Sequence, residues 1–451
     1  MVTDTGGGQP EDAHGKSRTA LIDDIIAGRW VDPETGKIPE IPYESIVFDV
    51  SLEGREADLV DSMQLGERLA VVADTATYEA MGRRVANALA RSIPVRTVIL
   101  DHPHADLATV EALKGKLDGV DGVVAVGSGT LNNLCKYVTH KDGRRYCVFG
   151  TAGSMNGYTS TTASLTLPSG LKVSLPAHAP CGFFVDLSVS AAAPAYLNAA
   201  GFGDCLARSV AQVDWWMSHR LLGTTYRQTP FLIQENDERI LNGLAGRLPS
   251  GDITAITSLY RVLTLCGLGV SFTGVSNHGS MGEHQISHYI DCFAGKRHPG
   301  TLHGQQVGVA ALTMARLQQK MLAREAPPEI HATRIDPAGM ARRMGPRIAP
   351  QCEAEWRKKA FDGEAAKRIN ERLANIWLQL RQELAPFIIP VADMERMLKD
   401  AGGPVTAQDL GLEIGFYREA VIHSREMRNR FSFLDLAADS DFLEGFAAGE
   451  A

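Results

Sequence analysis

The chain has 451 residues, 44% of them hydrophobic and 22% charged, with a mean hydropathy of −0.09. At roughly 150 residues per domain, this predicts two or three domains around at least one large core and excludes a small stapled or disordered protein. Forty-five Lys and Arg against 53 Asp and Glu give a formal net charge of −8 and a pI near 5.9, which argues against a dedicated nucleic-acid binder.

The N-terminus, Met1 to Gly8, is acidic and glycine-rich where an export signal is basic and then apolar. Residues 1–30 are expected to be a mobile tail, polar and glycine-rich over the first 18. From 31 to 190, short β-branched apolar runs alternate with helical stretches, the pattern of βαβ units around a mostly parallel sheet. Strands are expected at Leu69–Ala73, Val95–Leu100 and Val123–Val126, a hairpin around Pro168-Ser169-Gly170, and a further strand at Phe183–Leu187. Residues 191–451 are expected to be nearly all helix, with periodic runs over Asp204–Leu222, Val307–Glu325 and Glu364–Leu384. Residues 326–351 look like a long connection, and Arg357-Lys358-Lys359 like a solvated helix face. Seven single cysteines without a CxxC pair favour reduced thiols in a cytoplasmic protein. Apolar stretches such as Leu263–Phe272 fall short of the about 20 residues a membrane helix needs, so no span is expected.

Two groups of residues carry chemistry. The strand ending at Val126 runs into Gly127-Ser128-Gly129-Thr130 and then a helical segment. Glycines there let backbone N–H groups approach a phosphate at a helix N-terminus; an unliganded glycine turn is the equal alternative. No Lys-Ser/Thr pair follows at P-loop spacing, which disfavours kinase or ATPase chemistry. In Glu283-His284-Gln285-Ile286-Ser287-His288, His284 and His288 share a helical face, and His303 follows in Leu302-His303-Gly304. Three neighbouring imidazoles point to a metal, against the alternative of structural histidines. Asp204, after Gly201-Phe202-Gly203, reads locally as an N-cap or first-turn acid.

Together with Thr151-Ala152-Gly153-Ser154-Met155-Asn156-Gly157-Tyr158-Thr159-Ser160, these motifs resemble the sn-glycerol-1-phosphate dehydrogenases. That family lies within the iron-containing alcohol dehydrogenase and dehydroquinate synthase-like superfamily. The resemblance runs from about residue 40 to 445 and looks like the bacterial branch in its closing stretch, Tyr417–Leu436. It implies a dinucleotide-binding α/β domain over 31–190 and a helical metal-binding and substrate domain over 191–451, in a dehydroquinate synthase-like fold. The implied catalytic residues are His288 and the metal ligands Asp204, His284 and His303, which hold one divalent Zn, Ni or Fe, with Asn156, Asp204 and His288 facing the substrate. His288 is implied as a proton donor through a hydroxyl or water chain. Gly127, Ser128, Gly129, Thr130, Thr151, Ser154 and Ser160 would line the NAD or NADP site. Asp74 would lie near the adenosine ribose and favour NAD, since an acid there repels a 2′-phosphate, with a helix N-cap as its alternative role.

The implied reaction is reversible reduction of dihydroxyacetone phosphate to sn-glycerol 1-phosphate by a homo-oligomer. A dehydrogenase of another polyol or polyol phosphate, or a non-catalytic nucleotide- and metal-binding homologue, is the alternative. Two departures stand out: the family usually has Asp where this chain has Asn133 and Asn156. Each Asn keeps a carbonyl acceptor, loses a charge and gains a donor. Arg208 also stands where relatives often carry Lys. Candidate phosphate cations are Lys172, Arg208, Arg418, Arg425 and Arg428, the last three also fitting a solvated salt-bridge face.

Overall fold

The computed structural model describes residues 20–450. Six apolar runs form one sheet: β1 (Ser45–Asp49), β2 (Leu69–Asp74), β3 (Val95–Leu100), β4 (Gly122–Gly127), β5 (Arg145–Gly150) and, after an antiparallel hairpin of β6 (Thr162–Thr166) and β7 (Lys172–Pro176), β8 (Gly182–Asp186). Their order is β1-β8-β5-β4-β2-β3, and every pairing is parallel. Strands covered on both faces read as continuous apolar runs. Every residue of β4 and β8 is accordingly buried, whereas edge strand β3 buries only Val98 and Leu100.

The chain steps from β2 outward to β3 and then back across β2 to β4. This reversal opens a crevice at the carboxyl ends of β2 and β4, where α/β sheets place ligands. The turn Gly127–Thr130 leaves β4 into that crevice and starts the helix Gly129–Asp142.

After β8 the described residues form helices and connections without another strand. The helix Ile253–Thr273 is long and apolar enough to cross a membrane by length and composition, but most of it is buried inside the protein. Leu259, Tyr260, Leu263 and Leu268 belong to the main core. All seven cysteines are free.

Four local expectations are corrected. Residues 1–19 of the expected tail lie outside the described residues. Ala20–Ile26 is a helix that buries Ile22 and Ile25, whose spacing puts them on one face, and Asp32 and Glu34 pair with Arg227 at 2.6 and 2.8 Å. The run Asp204–Leu222 is split between helices Ala195–Leu206 and Arg208–Leu222. Asp204 therefore sits in the last turn of the first helix and caps nothing. The connection 326–351 contains Pro337–Met344, N-capped by Asp336 with Pro at its first turn, and the start of Ala349–Arg357. Lys359 does not face solvent: its Nζ lies 2.8 Å from both Asp435 Oδ2 and the Arg430 carbonyl.

Candidate metal centre and cofactor cleft

Glycine is what brings Asp204 to the histidines. The helices Ala195–Leu206 and His303–Leu322 cross so closely that a Cβ on Gly203 would lie 2.4 Å from the Gly304 carbonyl oxygen. A Cβ on Gly304 would lie 2.1 Å from that of Ala200. Only residues without side chains permit this approach, and it sets Asp204, next to Gly203, against His303, next to Gly304. The helix Gly282–Phe293 supplies His284 and His288. One donor atom from each of Asp204, His284 and His303 lies within 4.8 Å of the others.

The outer hydrogen bonds set the tautomer of each imidazole. His284 Nδ1 lies 2.8 Å from Glu283 Oε1, a carboxylate that can only accept. His284 thus carries its proton on Nδ1, and its Nε2 lone pair points toward Asp204 Oδ1, 3.5 Å away. His303 Nδ1 lies 2.9 Å from Ser287 Oγ, whose own hydrogen goes to Gln306 Oε1 at 2.8 Å. Ser287 therefore accepts from His303, whose Nε2 lone pair is likewise free. His288 is opposite: its Nδ1 accepts from Arg428 Nη2 at 2.6 Å. That leaves an N–H, and no lone pair, on His288 Nε2.

Burial opposes charge on Asp204, but the neighbouring His284 and then His303 hold its carboxyl below the ordinary range. Burial and then Lys172 push His303 down to about 3. Burial and then the Arg428 guanidinium push His288 well below the usual imidazole range. For His284, burial is outweighed by the Asp204 and Glu283 carboxylates, which raise it.

These residues fit a divalent cation. Asp204 Oδ1 is buried without a hydrogen-bond partner, an expensive arrangement unless something else satisfies it, and it faces two imidazole lone pairs. Its other oxygen accepts from the Asn156 backbone N–H at 2.8 Å. That contact uses the main chain, so Asn in place of Asp at 156 leaves it intact. One carboxylate and two imidazoles suit Zn, Ni or Fe(II).

Ser128, Gly129, Thr130, Asn133, Ser154, Asn156 and Ser160 line the same cleft as Asp204, His284, His288 and His303. Gly127 and Thr151 sit behind it at the ends of β4 and β5, with Thr151 N–H donating to the Gly127 carbonyl at 3.3 Å. Asp74 closes β2 and caps the next short helix, Thr75–Thr77, accepting from Thr77 N–H at 2.8 Å. It is not among the residues lining the cleft.

Sequence reasoning gave no role to Lys136. Wholly buried, it donates to the carbonyls of Gly157 at 2.6 Å, Ser160 at 2.8 Å and Thr162 at 3.2 Å, and to Ser160 Oγ at 3.2 Å. It ties the cleft-lining segment Gly157–Thr162 to the helix Gly129–Asp142. Burial without a carboxylate lowers its ammonium to about 7. Glu283 and Ser287 were also missed as orienting groups. Adjacency to a histidine is their only sequence signal.

Most candidate phosphate cations prove to be engaged. Arg208 pairs with Glu238 at 2.5 Å and Arg425 with Asp439 at 3.1 Å. Arg418 bonds the Glu450 carbonyl at 2.8 Å, and Lys172, which lines the cleft, pairs with Asp291 at 2.5 Å. Arg428 has no ion-pair partner among the described residues, and its one hydrogen bond is to His288.

Residues 47–194 match the family model of iron-containing alcohol dehydrogenase. A glycerol-1-phosphate dehydrogenase [NAD(P)+] of Bacillus velezensis is 31% identical over 382 residues, 83% of this chain and 86% of that protein. The chain belongs to the glycerol-1-phosphate dehydrogenase family. Another member so named, from Halalkalibacterium halodurans, is 28% identical over 81% of this chain and 84% of its own length. The fold is shared more widely. A Thermotoga maritima NADH-dependent butanol dehydrogenase aligns with TM-score 0.61 at 14% identity, over 90% of this chain and 97% of its own. A probable glycerol dehydrogenase of Sinorhizobium meliloti aligns with TM-score 0.58 at 17% identity, over 90% and 96%.

Proposed function

We propose that this protein catalyses the reversible reduction of dihydroxyacetone phosphate to sn-glycerol 1-phosphate with NAD(P)H. The observation that carries this reading is the division among the cleft histidines: His284 and His303 offer lone pairs beside the orphaned Asp204 oxygen, while His288 offers an N–H. Family membership supplies the reaction class.

Asp204, His284 and His303 would hold one divalent metal, and Gly127 to Thr130 with Thr151, Ser154 and Ser160 the dinucleotide. When bound, the metal supplies Lewis acidity to a ketone and the reduced nicotinamide supplies the reducing equivalents. The chain itself places the groups. Glu283 and Ser287 hold the two ligand imidazoles in their working tautomers. His288, kept neutral with its proton on Nε2, donates a hydrogen bond to a substrate oxygen. This replaces the proton-donor role implied by the resemblance, because Arg428 occupies the nitrogen that would have to be recharged. Asn156 presents an amide to the substrate from a backbone anchored on Asp204. Asp74, at the end of β2, favours NAD over NADP through its charge.

The test is NADH oxidation by metal-loaded protein with dihydroxyacetone phosphate and with unphosphorylated dihydroxyacetone, using Asp204→Ala as the control. Phosphate-dependent oxidation that disappears in the control is the expected result. Bound metal and NADH without oxidation of either ketone would overturn the proposal.

A further inference from the structure

Arg428 and Arg430 stand one layer behind the cleft wall, bonded to the lining residues His288, Ser280 and Ser276 and not themselves among those that line it, and neither has an ion-pair partner among the described residues. Arg428 gives one N–H to His288 Nδ1 at 2.6 Å. Arg430 holds the Ser280 carbonyl and, at 2.8 Å, Ser276 Oγ, and both serines line the cleft. A guanidinium has five N–H donors, so the single bond of Arg428 leaves most of its fork unclaimed by protein acceptors. Burial lowers Arg428 to about 10, and burial followed by repulsion from Arg428 lowers Arg430 to about 9. Glu283 is the one carboxylate whose charge both arginines feel, and it forms no ion pair with either among the described residues, so two like charges withdrawn from water lack a paired counterion that a bound dianion would supply.

Lys172 adds a third cation. It lines the cleft, and its charge and that of Arg428 are both felt by His288 and by Cys292. Its partner Asp291 also accepts from Gln306 Nε2 at 3.0 Å, so the pair is held in place. Among the described residues the only carboxylate lining the cleft is Asp204, which is committed to the metal centre.

We propose that Arg428, assisted by Lys172, is the receptor for the substrate's phosphate group, so that the residue fixing the tautomer of His288 also selects a phosphorylated ketone. This inference rests on the reading of the cleft as the site of a phosphorylated ketone. Coupling the two roles in one guanidinium has a consequence: the phosphate draws Arg428 into a set position and thereby aims the His288 N–H.

The experiment compares wild type, Arg428→Ala and Arg428→Lys, each metal-loaded, on dihydroxyacetone phosphate and dihydroxyacetone. A charge-assisted contact of this kind is lost at a cost of roughly tenfold to a hundredfold. The ratio of kcat/KM for the phosphorylated over the unphosphorylated ketone should fall by about that factor in Arg428→Ala and by less in Arg428→Lys. An equal loss on both ketones would show that Arg428 only orients His288, and a loss of NADH affinity instead would assign it to the cofactor's phosphates; either overturns the proposal. Calorimetric titration with inorganic phosphate gives a separate reading, even if wild type reduces neither ketone. Phosphate binding to wild type that weakens about tenfold or more in Arg428→Ala supports the receptor, whereas equal binding to both proteins, or none to either, overturns it. Unchanged melting temperature and metal content in Arg428→Lys guard against misfolding as the cause.

Discussion

Lys136 makes a testable claim about how the cleft wall is stabilised. Its ammonium is lowered from 10.5 to about 7 by burial, while in the unfolded chain it titrates near 10.4. Between those values the unfolded chain binds a proton that the folded chain lacks, so unfolding takes up a proton and stability rises with pH. Below pH 7 both states are protonated, and the burial penalty is constant and largest. Integrating from pH 7 to pH 9 gives about 2 kcal/mol of added stability from this one group. At about 2.1 cal/mol/K of unfolding entropy per residue, that is a rise of about 2 °C in melting temperature for a chain of this length. Lys136→Met removes the titration and keeps the volume, so the quantity to measure is the melting temperature of wild type minus that of Lys136→Met at a series of pH values. It should be flat below pH 6.5 and climb by about 2 °C between pH 7 and 9. A flat difference throughout would refute the reasoning, because it would mean that the oxygen acceptors around Nζ fully offset the desolvation.

Three further substitutions probe the site. Glu283→Gln keeps the shape of the group behind His284 but removes its charge, and metal affinity measured by chelator competition should fall about 10- to 100-fold; unchanged affinity would deny Glu283 an orienting role. Asp74→Ser retains an N-cap for Thr75–Thr77 while deleting the negative charge, so the ratio of NADH- to NADPH-dependent turnover should fall, with little change in melting temperature; an unaltered cofactor ratio would leave Asp74 as a helix cap alone. Gly203→Ala puts a methyl group 2.4 Å from the Gly304 carbonyl oxygen, which should cost about 1–3 kcal/mol of stability and weaken metal binding by parting Asp204 from His303. Full metal affinity in that variant would show that the helix crossing does not set the ligand geometry.

The sheet was legible where burial on both faces leaves an uninterrupted apolar run, as in β2 and β4, and where Pro and Gly mark a reversal, as between β6 and β7. It was less legible at β1 and β5, whose Ser45, Asp49 and Arg145 break the apolar pattern although both strands pair fully in the sheet. The helical half was read correctly in kind and wrongly in its joints. Periodicity continues through Ala207, and nothing local shows that Asp204 ends one helix while Arg208 begins another. The error at Lys359 is of a different sort: a charge run suggests solvent, and only the tertiary fold reveals that Asp435 waits to pair with it.

The three histidines show most clearly what spacing can and cannot carry. His284 and His288 are equivalent by periodicity, one turn apart on a single face, so the sequence places both near a metal and cannot rank them. What separates them is the atom that meets each Nδ1: an acceptor, Glu283 or Ser287, turns the lone pair of His284 or His303 inward, and a donor, Arg428, turns the proton of His288 inward. Glu283 is adjacent to its histidine and Ser287 is 16 residues from His303, whereas Arg428 is 140 residues from His288. The choice between an inward lone pair and an inward N–H is therefore written in a residue near the far end of the chain. If Arg428 were replaced by a glutamine presenting its carbonyl to His288, Nδ1 would become the protonated nitrogen and Nε2 would offer a third imidazole lone pair to the centre. Arg428→Gln should then bind its metal at least as tightly as wild type while turnover falls, a separation that simple loss of packing around His288 does not produce.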